Sequence, residues 1–199
     1  MTKVKYEHIV ELLPEINDIK NEELREKVCS IWQEAVDSSN WEDMDNIKFN
    51  SLCPGAKLVH HTRAVTQATV AILTVLKENC GADFDKDTAL VEGLLHDVCK
   101  VMEYDPAPDN LSAKNKIGKT IQHGFFSGYY GQKYGLSTDI VASLVAHTSH
   151  SRMIPATLEG IVLFYADMAC ADMYRFQAGA PLKISEYKWR VASLPVNRA

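Results

Sequence analysis

The chain has 199 residues, 46% of them apolar, which suits one domain with a sizeable core. Its net charge of −5 and pI near 5.8 exclude broad electrostatic capture of DNA or RNA, which needs a basic surface. No stretch approaches the ~20 uninterrupted apolar residues of a transmembrane helix, and the opening Met1–Glu7 lacks the apolar core of a signal peptide.

The five scattered cysteines (Cys29, Cys53, Cys80, Cys99 and Cys170) form no CxxC pair and read as reduced thiols of a cytoplasmic protein. The pattern is helical nearly throughout, without strand-like alternation, and the prolines fall between the periodic segments. Residues 4–13 are expected to form a short helix ending near Pro14. Asn21 then caps a helix whose Leu24, Val28, Ile31 and Ala35 recur at helical spacing. Residues 37–56 read as loop. A helix over about 57–79 carries His61, Val65, Ala68, Ile72 and Leu76 on one face, so His61 points inward.

Asp83 or Asp85 caps the next helix, about 86–101, whose run Ala89-Leu90-Val91-Glu92-Gly93-Leu94-Leu95 is apolar nearly all round and therefore central. Leu90, Leu94, Asp97 and Val101 share one stripe of it, which aims Asp97 at the interior. Residues 103–117, rich in Pro, Asp and Asn, read as a loop placed to cover a site. A helix over about 118–134 carries His123. Ser137 caps another, on which Ile140, Leu144 and His147 share a face. Thr148–Met153 form a polar break that contains His150. Pro155 opens the last long helix, about 155–177, where Leu163, Asp167, Cys170 and Tyr174 align; after Gly179 a polar tail packs on the surface.

The adjacent His96-Asp97 is the chemically telling pair, because a carboxylate buried without a partner costs several kcal/mol or takes up a proton. A cation held by both side chains removes that penalty. Each of His61, His96, Asp97, His147 and Asp167 has an ordinary explanation when taken singly, as a hydrogen-bonded core histidine or an ion-paired aspartate. Five such residues on buried faces with few basic partners point to a metal, and imidazole plus carboxylate suits Fe, Mn, Zn, Co or Ni.

The chain resembles the HD superfamily of metal-dependent phosphohydrolases, in which a histidine on one helix, an adjacent His-Asp on a second and an aspartate on a late helix share a site. The matching residues are His61 in His61-Thr62-Arg63-Ala64-Val65, His96-Asp97 followed by Lys100, and Asp167; the resemblance runs from about residue 57 to 175. The family's His-Thr-x-x-Val pattern favours His61 over its neighbour His60.

The resemblance implies an all-α HD-domain bundle at 51–180, a short N-terminal helical extension at 1–50 packed on it, and a tail at 181–199. It implies one or two divalent transition metal ions. His123 and His147 would complete a second site bridged by Asp97; alternatively, one metal is bound by four protein ligands and His123 orients substrate. Lys100 would neutralise substrate phosphate or serve only a structural salt bridge. Arg63, Arg152 and His150 are weaker candidates for the substrate's anionic end. His147-Thr148-Ser149-His150 departs from the His-His-Gly of an HD-type exoribonuclease, and Cys99 stands where the family commonly has glycine.

The activity implied is hydrolysis of a phosphoester in a nucleotide or other small phosphorylated metabolite by metal-activated water, with Asp97 and Lys100 in catalytic roles. An HD-type di-iron oxygenase that cleaves a C–C or C–P bond with O2 would use the same ligands. A non-catalytic sensor is a further alternative. A nucleic-acid polymer and a membrane are not expected partners, and an exposed apolar stripe on the N-terminal helices would support a homodimer.

Overall fold

A computed structural model of the chain describes residues 2–148 and 151–185. Its helices are α1 (Tyr6–Leu12), α2 (Glu22–Asp37), α3 (Leu58–Cys80), α4 (Lys86–Leu95), α5 (Lys100–Glu103), α6 (Lys116–Thr120), α7 (His123–Lys133), α8 (Thr138–Ala146) and α9 (Leu158–Gln177), and a single hairpin pairs β1 (Tyr104–Ala107) with β2 (Leu111–Lys114). The all-α reading therefore holds, with this small hairpin as its exception. Among the described residues, no helix is long and apolar enough to cross a membrane.

The capping expected from sequence is present. Asn21, Asp85 and Ser137 each accept a backbone N–H three residues on, satisfying a donor that the first turn of a helix leaves open. The last helix starts at Leu158 rather than Pro155, because Thr157 supplies the cap by accepting from the Gly160 N–H.

One apolar core joins the N-terminal segment to the rest. Ile9, Leu13 and Ile16 pack with Val28, Ile31 and Trp32 of α2, and these meet Leu90, Val91 and Leu94 of α4. The N-terminal helices thus bury their apolar faces. Among the large exposed apolar side chains only Tyr6 belongs to them; most of the others lie on α3, α7 and α9, so the stripe expected for a dimer is not found there.

The expected helix 86–101 is interrupted. It ends at Leu95, residues 96–99 form tight turns, and α5 begins at Lys100. A helix that stops inside a core leaves carbonyls without their normal partners. Here each is satisfied by another route: the Gly93 carbonyl accepts from the ring of its own neighbour His96 (2.7 Å), that of Leu94 from the Trp32 indole (3.1 Å), and that of His96 from the Ser127 hydroxyl (3.0 Å). The Leu95 and Asp97 carbonyls take the N–H groups of Val98 and Lys100. The break matters because adjacent residues of a regular helix point about 100° apart, whereas His96 and Asp97 face one place.

Two further expectations are corrected. The segment 103–117 is not irregular: the hairpin runs from Tyr104 to Lys114, turning through Asp109 at φ 59°, and the Trp41 indole donates to the Tyr104 carbonyl at 2.7 Å. The expected helix 118–134 is split at Ile121–Gln122, so His123 stands at the first position of α7.

Candidate metal centre

His61 lies in the first turn of α3, whose close packing on α4 is set by Gly93. A side chain at Gly93 would meet the Cα of Thr66 at 2.8 Å. His61 is buried and its neighbour His60 is exposed. The His61 ring packs against Phe49, with centroids 3.9 Å apart. His96 follows α4 and His147 follows α8, and the two are built alike. Each donates Nδ1–H to the carbonyl three residues back at 2.7 Å, Gly93 for His96 and Leu144 for His147. A carbonyl can only accept, so Nδ1 carries the proton and Nε2 presents a lone pair to the interior.

Asp97 stands between two groups. Its Oδ2 is 3.1 Å from His61 Nε2, 3.4 Å from His96 Nε2 and 2.8 Å from Lys100 Nζ. Its Oδ1 is 3.1 Å from His123 Nε2 and 3.5 Å from His147 Nε2. Asp167, from the buried face of α9, brings Oδ1 within 3.1 Å of His61 Nε2. One donor atom from each of His61, His96, Asp97 and Asp167, and likewise from each of Asp97, His123 and His147, falls within 4.8 Å of the others in its group.

Apart from the Lys100 ammonium paired with Asp97 Oδ2, these contacts are close without hydrogen-bond geometry. Both Asp97 oxygens, Asp167 Oδ1 and His147 Nε2 are buried and lack a partner in hydrogen-bonding geometry. The His96 lone pair faces His61 Nε2 at 3.3 Å and a carboxylate oxygen. Acceptors directed at acceptors repel unless a cation lies between them. Ligand bonds near 2.1 Å would place neighbouring donors roughly 3.0–3.4 Å apart, which is the spacing observed. The donor set, all imidazole and carboxylate, fits a divalent transition metal.

The electrostatics agree. Burial raises Asp97, but Lys100 and the surrounding histidines outweigh it and hold the carboxyl well below the usual range. Asp167 is likewise driven down against burial, chiefly by His61. Burial pushes His147 down to about 4, so its ring is neutral near pH 7. For His123 burial acts downward, and the carboxylates of Asp97 and Glu103 overcome it to raise the pKa.

Glu103 was not anticipated from sequence. Its Oε1 accepts from the backbone N–H of His123 at 2.7 Å and lies 3.1 Å from the ring Nδ1 of the same residue. Phe49 was also missed: besides packing on His61, its ring lies 3.8 Å beneath Lys100 Nζ. A lone Phe in a loop and a Glu beside a proline-rich stretch carry no pattern that sequence could expose.

A cavity of about 380 Å³ opens beside the cluster, lined among others by Lys100, Glu103, His123 and Asp167. Arg152 is exposed on the segment after α8 and is not among the lining residues. Arg63 is paired with Glu15 at 2.9 Å and secures the N-terminal segment. Cys99 is buried, and burial drives its thiol far up, which leaves it inert. His150 lies outside the described residues.

A helical bundle that gathers four imidazoles and two aspartates around a His-Asp doublet is the architecture of a divalent-metal-binding domain. The chain belongs to the HD domain family, whose pattern matches residues 58–172. It is also similar to the dihydroneopterin 2′,3′-cyclic phosphate phosphodiesterase of Methanocaldococcus jannaschii, at 29% identity over 165 residues, covering 76% of this chain and 64% of that protein. The chain thus spans a little under two thirds of that relative's length. No solved structure matches it significantly.

Proposed function

We propose that the chain is a metal-dependent phosphohydrolase that cleaves a phosphoester of a nucleotide or another small phosphorylated metabolite. The observation that carries this reading is the convergence of buried acceptor atoms from Asp97, His147 and Asp167 that lack a hydrogen-bond partner, beside a cavity that holds an ammonium group. The relative's name specifies a 2′,3′-cyclic phosphodiester, and we take that ester class as the first to test here.

His61, His96, Asp97 and Asp167 would hold one divalent ion, and Asp97, His123 and His147 a second. Such ions supply a water acidic enough to attack phosphorus near neutral pH, and positive charge against the phosphoryl oxygens.

The chain's own residues do the rest. Asp97 directs one oxygen to each ligand group and so fixes their separation. His96 and His147, locked by their Nδ1–H bonds, keep their Nε2 lone pairs aimed inward at no reorganisation cost. Lys100, with its ammonium seated between Asp97 and the Phe49 ring, is placed to meet an equatorial phosphoryl oxygen as a point charge. Glu103 holds His123 at the cavity wall. In ring opening, the water oxygen bonds to phosphorus and one P–O ester bond breaks. The proton that the water gives up passes to the departing alkoxide oxygen, which becomes a hydroxyl, leaving a phosphomonoester.

The test is elemental analysis of protein purified without chelator, followed by hydrolysis of adenosine 2′,3′-cyclic phosphate and a wider phosphoester panel. Two equivalents of metal, falling to about one in His123→Ala, with ester cleavage lost in Asp97→Ala, is the expected result. A metal-free protein after reconstitution would sink the proposal. So would substrate loss coupled to O2 uptake without ester cleavage.

A further inference from the structure

The segment after α9 folds back along that helix. Asp172 accepts from the backbone N–H groups of Lys183 (2.5 Å) and Ile184 (2.9 Å), and Arg175 donates through Nη1 to the Pro181 carbonyl at 2.9 Å. Asp172 lies five residues beyond Asp167, so the helix that supplies a cluster carboxylate also fastens this turn. The consequence is that Lys183 lines the same cavity as Lys100, His123 and Asp167. Lys114, at the end of β2, lines it from the hairpin.

Two unrelated elements therefore bring ammonium groups to one opening in a chain of net charge −5. Lys100 is already engaged with Asp97, whereas no described carboxylate forms an ion pair with Lys114 or Lys183. A single exposed lysine gives an anion little affinity, but two held by separate elements around one opening act together. A cavity near 380 Å³ has the capacity for a small ligand of nucleotide type.

We propose that Lys114 and Lys183 form a second anion subsite, which selects substrates bearing a further phosphate group besides the ester presented to the His/Asp cluster. This rests on the phosphohydrolase reading for the placement of the first phosphate. The cluster side holds the reacting ester beside Lys100. The strap and the hairpin hold the remote phosphate by charge, as lysine does, without a fixed bidentate geometry. Asp172 is the positioning residue that keeps Lys183 at the opening.

The test uses the full chain with the metal it carries on purification. Calorimetric titration compares adenosine 3′-phosphate with adenosine 3′,5′-bisphosphate, which differ by one phosphate. Wild type is expected to bind the bisphosphate about tenfold more tightly, equivalent to about 1.4 kcal/mol. The ratio should shrink as salt rises. In K114A/K183A it should fall below about threefold, and D172A, which retains both lysines, should move it the same way. A wild-type ratio near one, or a ratio unchanged in the double variant, overturns the subsite. Selective binding without hydrolysis of any phosphoester would leave the subsite standing and remove the activity; hydrolysis with a ratio near one would do the reverse.

Discussion

Replacing Gly93 by alanine tests whether the α3–α4 approach builds the cluster. An alanine Cβ there would sit 2.8 Å from the Thr66 Cα, 2.8 Å from its Oγ1 and 3.0 Å from its Cβ. Carbon atoms normally meet at about 3.5–4.0 Å, so the two helices must part by roughly 0.7 Å. Alanine regains about 1 kcal/mol of helix propensity over glycine, while overpacking costs about 1–3 kcal/mol. The opposing atom belongs to the backbone, so no rotamer change relieves it, and the cost falls toward the upper end. The expected net loss is about 1–2 kcal/mol. His61 and His96, whose Nε2 atoms are 3.3 Å apart, ride on the two helices that separate. A shift of that size exceeds the ~0.2 Å tolerance of a metal site, so metal affinity should fall with stability. Urea unfolding reads the first effect as a lower midpoint at constant slope, and chelator competition reads the second. Adding Thr66→Ala removes Oγ1 but leaves Cα, and should rescue only part. A Gly93→Ala protein with wild-type midpoint and metal affinity would refute the reasoning.

His61→Ala should abolish metal binding while His60→Ala retains it, measured by elemental analysis; equal loss in both would misassign the helix face. Glu103→Gln should weaken the second equivalent of metal about 10–100-fold in a titration, since an outer carboxylate orients its histidine; two unchanged binding steps would release Glu103 from that role. Glu92 is buried, and burial outweighs the nearby Ser143 hydroxyl to push it up to about 8. The native state therefore holds a proton there that the unfolded chain releases near pH 4–5. Stability is fully present below that and declines as pH rises through about 8. Glu92→Gln should remove the decline, so its advantage over wild type in urea unfolding should grow from pH 5 to pH 9 by up to ~4 kcal/mol; a constant difference would show that Glu92 does not titrate in this way.

His61, Asp97, His147 and Asp167 could be read from sequence because each interrupts an apolar stripe, as His61 does among Val65 and Leu76 and Asp167 between Leu163 and Cys170; His96 came from its place beside Asp97, and His123 from the family resemblance alone. What makes them converge could not. The apolar run continues past Leu95 to Val101, so periodicity carries the helix through. It stops because the Trp32 indole, from 62 residues away, and the His96 ring take its terminal carbonyls. The hairpin escaped notice because its strands are four residues long and one contains Pro106. Glu103 looks like a solvated charge until α6 and α7 close over it. Lys183 enters the cavity only through the Asp172 turn, a contact between an irregular segment and a helix that leaves no mark in either pattern.

The two ligand groups are unequal, and the inequality follows from where their side chains originate. The first draws two imidazoles and two carboxylates from α3, the end of α4, and α9, all buried. Among the described residues, the second shares one Asp97 oxygen and adds only His123 and His147. Fewer protein donors leave more positions for water and phosphoryl oxygen, the condition that separates reactive metal sites from structural ones. His123 also lines the cavity, and its Nδ1 faces the Glu103 carboxylate, where His96 and His147 bond backbone carbonyls. The first group is thus suited to hold an ion permanently and to fix Asp97. The second is suited to face the substrate. This predicts an order: chelation should strip the equivalent bound by His123 and His147 first, and activity should be lost with it while the folded bundle persists. Simultaneous loss of both equivalents with unfolding would show that the groups form one indivisible site.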